Sequence, residues 1–101
     1  MNNLVGERLR NYELVIVLSP EATEEEVTAT LERVDGMISD GGGTISEREN
    51  WGVRRLAYPI NKFGEGNYVL TRFEVDASAI AQINQRLQGS ADLLRYLVIR
   101  P

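Results

Sequence analysis

The chain contains no cysteine and no histidine among its 101 residues. Without cysteine there is no disulfide framework and no thiolate metal site, which points to a reducing compartment. Without histidine the commonest metal ligand and the commonest general base are both missing. Ser-His triads, zinc sites of the usual kind and cysteine nucleophiles are therefore excluded, and no metal or cofactor is expected. Long apolar runs are missing too. The longest is Leu14-Val15-Ile16-Val17-Leu18, far too short to cross a bilayer or to form a signal-peptide core. A soluble, cytoplasmic protein with no membrane partner is expected. Repeats, low-complexity segments and internal linkers are also absent.

The length suits one domain with one modest core. The chain is acidic overall, with a formal net charge of −4, but the charge is uneven. Residues 1–50 hold eleven acids against four arginines, and residues 51–101 hold four acids against seven cations. Such asymmetry predicts an acidic solvated face and a separate basic face.

Residues 1–8 lack periodicity and are expected to be a flexible extension, with residues 9–101 as a single domain. Leu9 to Leu18 reads as a strand, and its apolar end suits a position buried on both faces. Thr23-Glu24-Glu25-Glu26 is a capping box that opens a helix. Val27, Leu31, Val34 and Ile38 form its apolar stripe, and Gly41-Gly42-Gly43 ends it. Thr44 to Ile60 is extended, but its alternation changes phase. A bulge near Gly52 to Arg55 would explain that change. Asn61 to Gly66 is predicted as the turn and Asn67 to Val75 as the next strand. Asp76 or Ser78 opens a second helix, with Ile80, Ile83 and Leu87 inside, closed by Gly89. Leu94 to Ile99 is the last strand. The order βαββαβ predicts an α+β, ferredoxin-like sandwich: a four-stranded antiparallel sheet of order 4-1-3-2 with two helices on one face.

The segment from Trp51 to Lys62 carries three cations, two aromatic rings and no acid. Cations interleaved with rings mark surfaces that meet phosphates and bases. Cations also protect an exposed strand edge from aggregation, so both readings stand at this level. Neighbouring strand residues point to opposite faces, and a bulge offers a way to bring Arg54 and Arg55 to one side. Trp51 shares its parity with Glu47 and Glu49, which suggests the uncovered face of the sheet. Tyr12, Trp51, Tyr68 and Tyr96 are candidates for rings on that face or its rim, against the alternative of half-buried sheet aromatics. The glycines of the turn would admit a phosphate, although turns need glycine anyway. The glutamates that open the first helix are accounted for by capping and by the helix dipole.

Several of these segments resemble bacterial small-subunit ribosomal protein six. They are Arg10-Asn11-Tyr12-Glu13 leading into the apolar strand and Ser19-Pro20, the acidic capped helix, Trp51-Gly-Val-Arg-Arg-Leu-Ala-Tyr-Pro-Ile-Asn-Lys62, and Gly66-Asn67-Tyr68. The resemblance spans residues 9–100. It implies a ferredoxin-like fold and a non-catalytic ribosomal protein. Such a protein binds the central domain of small-subunit ribosomal RNA together with ribosomal protein eighteen, without a small-molecule substrate. Carried over by position, it makes Arg10, Tyr12, Arg54, Arg55, Lys62, Gly66, Asn67 and Arg95 the RNA-binding candidates. Trp51, Val53, Tyr58, Tyr68 and Tyr96 become the candidates for the protein partner. Asn67 stands where an aromatic is frequent in the family, and the acidic tail of some members is not seen. The alternative reading is a regulatory ferredoxin-like homodimer that binds a small molecule.

Overall fold

Strand β1 (Leu9–Leu18) lies inside the sheet because its apolar run has no place on an edge. Leu14, Ile16, Val17 and Leu18 are each almost fully buried. The structure, a computed structural model, describes residues 8–101, so residues 1–7 of the expected extension lie outside the described residues.

Helix α1 (Glu24–Asp40) starts at the capping box read from the sequence. The Glu26 amide donates to Thr23 Oγ1 at 3.1 Å, and the Thr23 amide donates to Glu26 Oε1 at 2.8 Å. Two orphan amides are satisfied by this exchange. Gly41 caps the C-terminus, and Gly42 follows with φ +84°, a conformation glycine adopts without strain. Val34 and Ile38 are buried from the predicted stripe, and Thr30 and Met37 join them.

Strand β2 (Thr44–Ile60) and strand β3 (Phe63–Asp76) form one long hairpin. The predicted turn from Asn61 to Gly66 is too long. Only Asn61 and Lys62 turn, with φ +50° and +72°, and β3 begins at Phe63. Two positive φ values in a two-residue loop match the twist of the flanking strands, which lets Ile60 pair with Phe63 at the tip, although the register shifts between Arg55 and Ile60. Asp76 Oδ1 accepts from the Ser78 amide at 2.8 Å and caps a 3₁₀ turn at Ala77–Ala79. That turn leads into helix α2 (Ile80–Gln88), which Gly89 closes. Strand β4 (Leu93–Ile99) ends the fold.

The four strands are antiparallel in the order β2-β3-β1-β4, the 4-1-3-2 arrangement read in the opposite direction. Tyr12, Leu14, Ile16 and Leu18 of β1, with Val69, Phe73 and Val75 of β3, face Val34, Met37 and Ile38 of α1 and Ile83 and Leu87 of α2. Among the described residues, no helix covers the other sheet face. Because β1 stops at Leu18, paired with Asn67, the hairpin continues beyond it as a two-stranded arm. The molecule measures 52 × 26 × 23 Å, long in one direction only.

Gly66 sits at the root of this arm. A Cβ there would lie 2.3 Å from Val17 Cγ1 and 3.4 Å from Leu56 Cδ2. The glycine therefore lets Leu56 and Val17 close over the backbone, a packing reason independent of any phosphate. Gly66→Ala is expected to destabilise the fold by about 1–3 kcal/mol through overpacking, measured by denaturant unfolding. An unchanged unfolding midpoint would show that the two side chains yield freely.

Candidate nucleic-acid and protein interface on the open sheet face

Strand register builds the uncovered face in rows. Ile99, Glu13, Arg72 and Glu47 lie side by side across the four strands. Leu97, Val15, Leu70 and Glu49 form the next row, and Arg95, Val17, Tyr68 and Gly52 the third. The face thus runs from a charged row, through an apolar row, to a row that holds a cation and a ring.

Arg72 is the centre of the charged row. Its Nε donates to Glu13 Oε2 at 2.9 Å, and its Nη1 donates to Glu47 Oε1 and Glu49 Oε2, each at 2.8 Å. Bonds to Glu13, then to Glu47 and Glu49, raise the guanidinium above its already high ordinary pKa. Glu49 reaches on to the third row, where its Oε1 accepts from Trp51 Nε1 at 3.0 Å. The bond from Trp51, and then that from Arg72, hold the Glu49 carboxyl below the ordinary glutamate range.

The expected bulge is present and lies between Asn50 and Gly52. Asn50 pairs with Val69 and Gly52 with Tyr68, which leaves Trp51 as the extra residue. Gly52 has φ +79°, and its amide donates to Asn50 Oδ1 at 3.0 Å. Trp51 stacks over Tyr68, with ring centroids 6.4 Å apart and planes 21° apart. Arg54 completes the group, its Cζ 5.2 Å from the centre of the Trp51 ring. A guanidinium at that distance is attracted by the negative face of an indole.

The structure divides the predicted residues. Trp51, Tyr68, Arg54 and Arg95 gather at one end of the open face. The bulge does not bring Arg54 and Arg55 together. They pair with Gly66 and Glu65 in sequence, beyond the bulge, so strand alternation sends them to opposite faces. Nor does Val53 share a face with Trp51. It pairs with Asn67, which pairs with the core residue Leu18, so it lies on the helix side of the sheet, where it is exposed. The extra residue at Trp51 causes this separation.

Two tyrosines expected on the open face or its rim are on the other side. Tyr12 is buried and stacks on Phe73 at 5.7 Å, and Tyr96 packs half-buried against the same core. Tyr58, on the arm, is 78% exposed, whereas Leu56 close to it is buried. Of Leu56, Tyr58 and Ile60, which share one parity, only Leu56 is buried. Lys62 is at the tip of the arm. Asn67 is half-buried, and its buried Oδ1 has no hydrogen-bond partner among the described residues. Arg10 pairs with Val75, eight residues along β1 from Leu18 and so about 26 Å from the root of the arm. It donates from Nη1 to the Leu9 carbonyl at 2.9 Å.

Two features escaped the sequence reading. One is the Arg72 network, whose only signal was the shared parity of Glu47 and Glu49. The other is the exposure of Leu97 and Ile99. β4 is apolar at both parities, so alternation could not show which residues face the helices. Among the described residues, no helix is long and apolar enough to cross a membrane, and no group of carboxylates could hold a metal ion.

A sequence profile for the family described as Ribosomal protein S6 matches residues 11–100. The chain is 38% identical to the small ribosomal subunit protein bS6 of Desulforamulus reducens, covering 91% of this chain and 97% of that one. It is 39% identical to the bS6 protein of Carboxydothermus hydrogenoformans, covering 91% and 96%. The crystal structure of 30S ribosomal protein S6 from Thermotoga maritima superposes with a TM-score of 0.85 at 30% identity, covering 92% of this chain and 88% of that one.

The lowered Glu49 pKa sets the direction of a pH effect. A carboxylate depressed in the folded state contributes fully above its unfolded pKa, and that contribution is lost as pH falls through the folded value. The single tryptophan reports it. Trp51 emission is expected to hold steady through the ordinary glutamate range and to change only below it. Glu49→Gln should abolish this transition. A wild-type transition centred at or above the ordinary glutamate value would contradict the assigned bond.

Proposed function

The chain belongs to the ribosomal protein S6 family of the small ribosomal subunit, and from that premise we propose that it binds the central domain of small-subunit ribosomal RNA together with ribosomal protein eighteen. It is a ribosomal protein and not an enzyme. On this reading it works in the cytoplasm, with residues 9–101 as one domain.

The observation that carries the RNA reading is how the cations are used. Arg8, Arg33, Arg48, Arg72 and Arg86 are each ion-paired to carboxylates of this chain. Arg54, Arg55 and Lys62 form no ion pair among the described residues, and all three lie on the projecting arm. Arg95, at the end of the open face nearest the arm, likewise has no ion pair there. Cations left without intramolecular carboxylates on a protruding hairpin suit phosphate contact. Arg10 would make a separate contact at the far end of the sheet. Tyr12, Gly66 and Asn67 would act through the shape of the backbone rather than by stacking, since none of them exposes a ring.

For the protein partner, the supporting observation is apolar exposure on the same face. Leu97 and Ile99 are 55% and 38% exposed, and Val15 lies beside Leu97. Trp51 and Tyr68 border this strip, while Tyr58 on the arm and Val53 on the helix side of the sheet are exposed apart from it. Tyr96 would serve only from beneath. An acidic chain needs help to hold RNA, and a basic partner attracted by its carboxylates would supply the missing charge.

Arg54, Arg55 and Lys62 changed together to Gln should leave unfolding unaltered. The slope of log affinity against log salt should become shallower by about one for each lost phosphate contact. An unaltered slope would assign the three cations to architecture. RNA titrations with and without ribosomal protein eighteen should show tight binding only for the pair; equal affinities would sink the partner reading. Co-sedimentation of the chain with the small subunit in a sucrose gradient is expected as well.

A further inference from the structure

Among the described residues Arg54 has no carboxylate partner, yet a chain of contacts across three strands holds its guanidinium. β1 supplies Glu13, β3 supplies Arg72, and β2 supplies Glu49, which grips the Trp51 indole N–H. The indole lies flat over Tyr68 and carries Arg54 on its ring. The Asn50–Gly52 bond and the positive φ of Gly52 set the bulge that turns Trp51 toward Glu49. Each side chain along this path is at the surface or half-buried, so its order comes from these contacts and not from core packing.

We propose that Glu49 is a positioning residue for RNA binding: through Trp51 it holds the Arg54 guanidinium ready for a phosphate of the RNA. This rests on the RNA reading above and adds a specific residue to it. An arginine normally loses side-chain freedom when it binds. A cation already stacked on a fixed ring loses less, so the anchored ring raises affinity without touching RNA. Among the described residues, Arg55 and Lys62 have no such ring beneath them.

The sign of the effect separates this role from plain electrostatics. Glu49 is an anion close to the surface that would meet RNA. Removing its charge should tighten binding if it acts only through its field. Removing its hold on Trp51 should weaken binding if it acts by position.

The experiment uses the full chain with ribosomal protein eighteen and a central-domain fragment of small-subunit ribosomal RNA. Glu49→Ala, Arg54→Gln and the double variant are titrated at one salt concentration. Trp51 emission and acrylamide quenching are recorded for each. Glu49→Ala is expected to weaken RNA binding about two- to fivefold, the scale of an exposed cation–ring contact. Its Trp51 should become more open to quenching. In the Arg54→Gln background the same change should have no further weakening effect, while the fluorescence change persists. Tighter or unchanged binding by Glu49→Ala, or equal weakening in both backgrounds, would overturn the proposal. If Arg54→Gln alone binds as tightly as the wild type, the RNA reading at Arg54 fails, and the proposal fails with it. If Arg54→Gln weakens binding and Glu49→Ala does not, only the positioning role fails. A thermal melt of each variant confirms that the fold is retained.

Discussion

The end of strand β1, from Leu14 to Leu18, is apolar on both of its faces, and among the described residues helices cover only one of them. Most of the architecture follows from this constraint. On the covered face, Leu14, Ile16 and Leu18 meet the helices, and the large buried ring of Phe73 completes the core. Burying side chains of this kind contributes about 1.5–3 kcal/mol each, so the covered face supplies most of the stability. On the other face, Val15 and Val17 need cover from elsewhere. Leu56 reaches back from β2 to close over Val17 at Gly66, and Leu70 lies next to Val15. The end of the strand toward β4 stays uncovered, with Leu97 and Ile99 exposed beside it. A sheet with one bare apolar strip suits a subunit of a larger assembly.

The arginines divide the labour of the fold between structure and recognition. Arg48 joins β2 to α1 by a bidentate pair with Asp35, at 2.5 and 3.2 Å, and also donates to Thr71. Arg33 meets Asp92, tying β4 to α1, with Thr30 donating to the same carboxylate. Burial opposes ionisation of Asp92, but the bonds from Thr30 and Arg33 outweigh it and hold its carboxyl below the usual range. Arg86 and Asp40 link the two helices. Surface pairs of this kind are each worth little, about 0–1 kcal/mol. Their larger effect is to occupy the cations on the body of the protein. Of the cations without an ion pair among the described residues, Arg54, Arg55 and Lys62 lie on the arm, although the chain as a whole is acidic.

Much of the fold was legible because local rules and global topology agree in this chain. The capping box, the glycine stops and the apolar stripes place both helices, and the apolar run of β1 places that strand inside the sheet. The bulge was legible from a change of phase, and Trp51 from its parity with Glu47 and Glu49. Other features were not legible, for identifiable reasons. The hairpin was read as a six-residue loop because Gly64 and Gly66 look like turn residues. In fact Gly66 serves a close approach by Val17, and the tip needs only Asn61 and Lys62. Tyr12 and Tyr96 stood as candidates for the open face or its rim as much as for half-buried positions, because an aromatic ring carries no sign of which side it takes. Pairing with Phe73 for Tyr12, and with Ile16 for Tyr96, put both on the helix side.

By itself the sequence determined the class of fold and the order of its elements, because capping, periodicity and glycine placement are local properties of the chain, while the family showed in the resemblance of its motifs, above all Trp51 to Lys62. It also determined that chemistry based on histidine or cysteine is absent. Only the tertiary structure decided which cations are spent inside the protein and which remain available. Ion pairing depends on residues far apart in sequence, as between Arg72 and Glu13. It likewise decided that the adjacent Arg54 and Arg55 face opposite ways, and that only Arg54 rests on a ring. Strand register sets those outcomes, and register arises from the pairing of whole strands, which no single segment encodes.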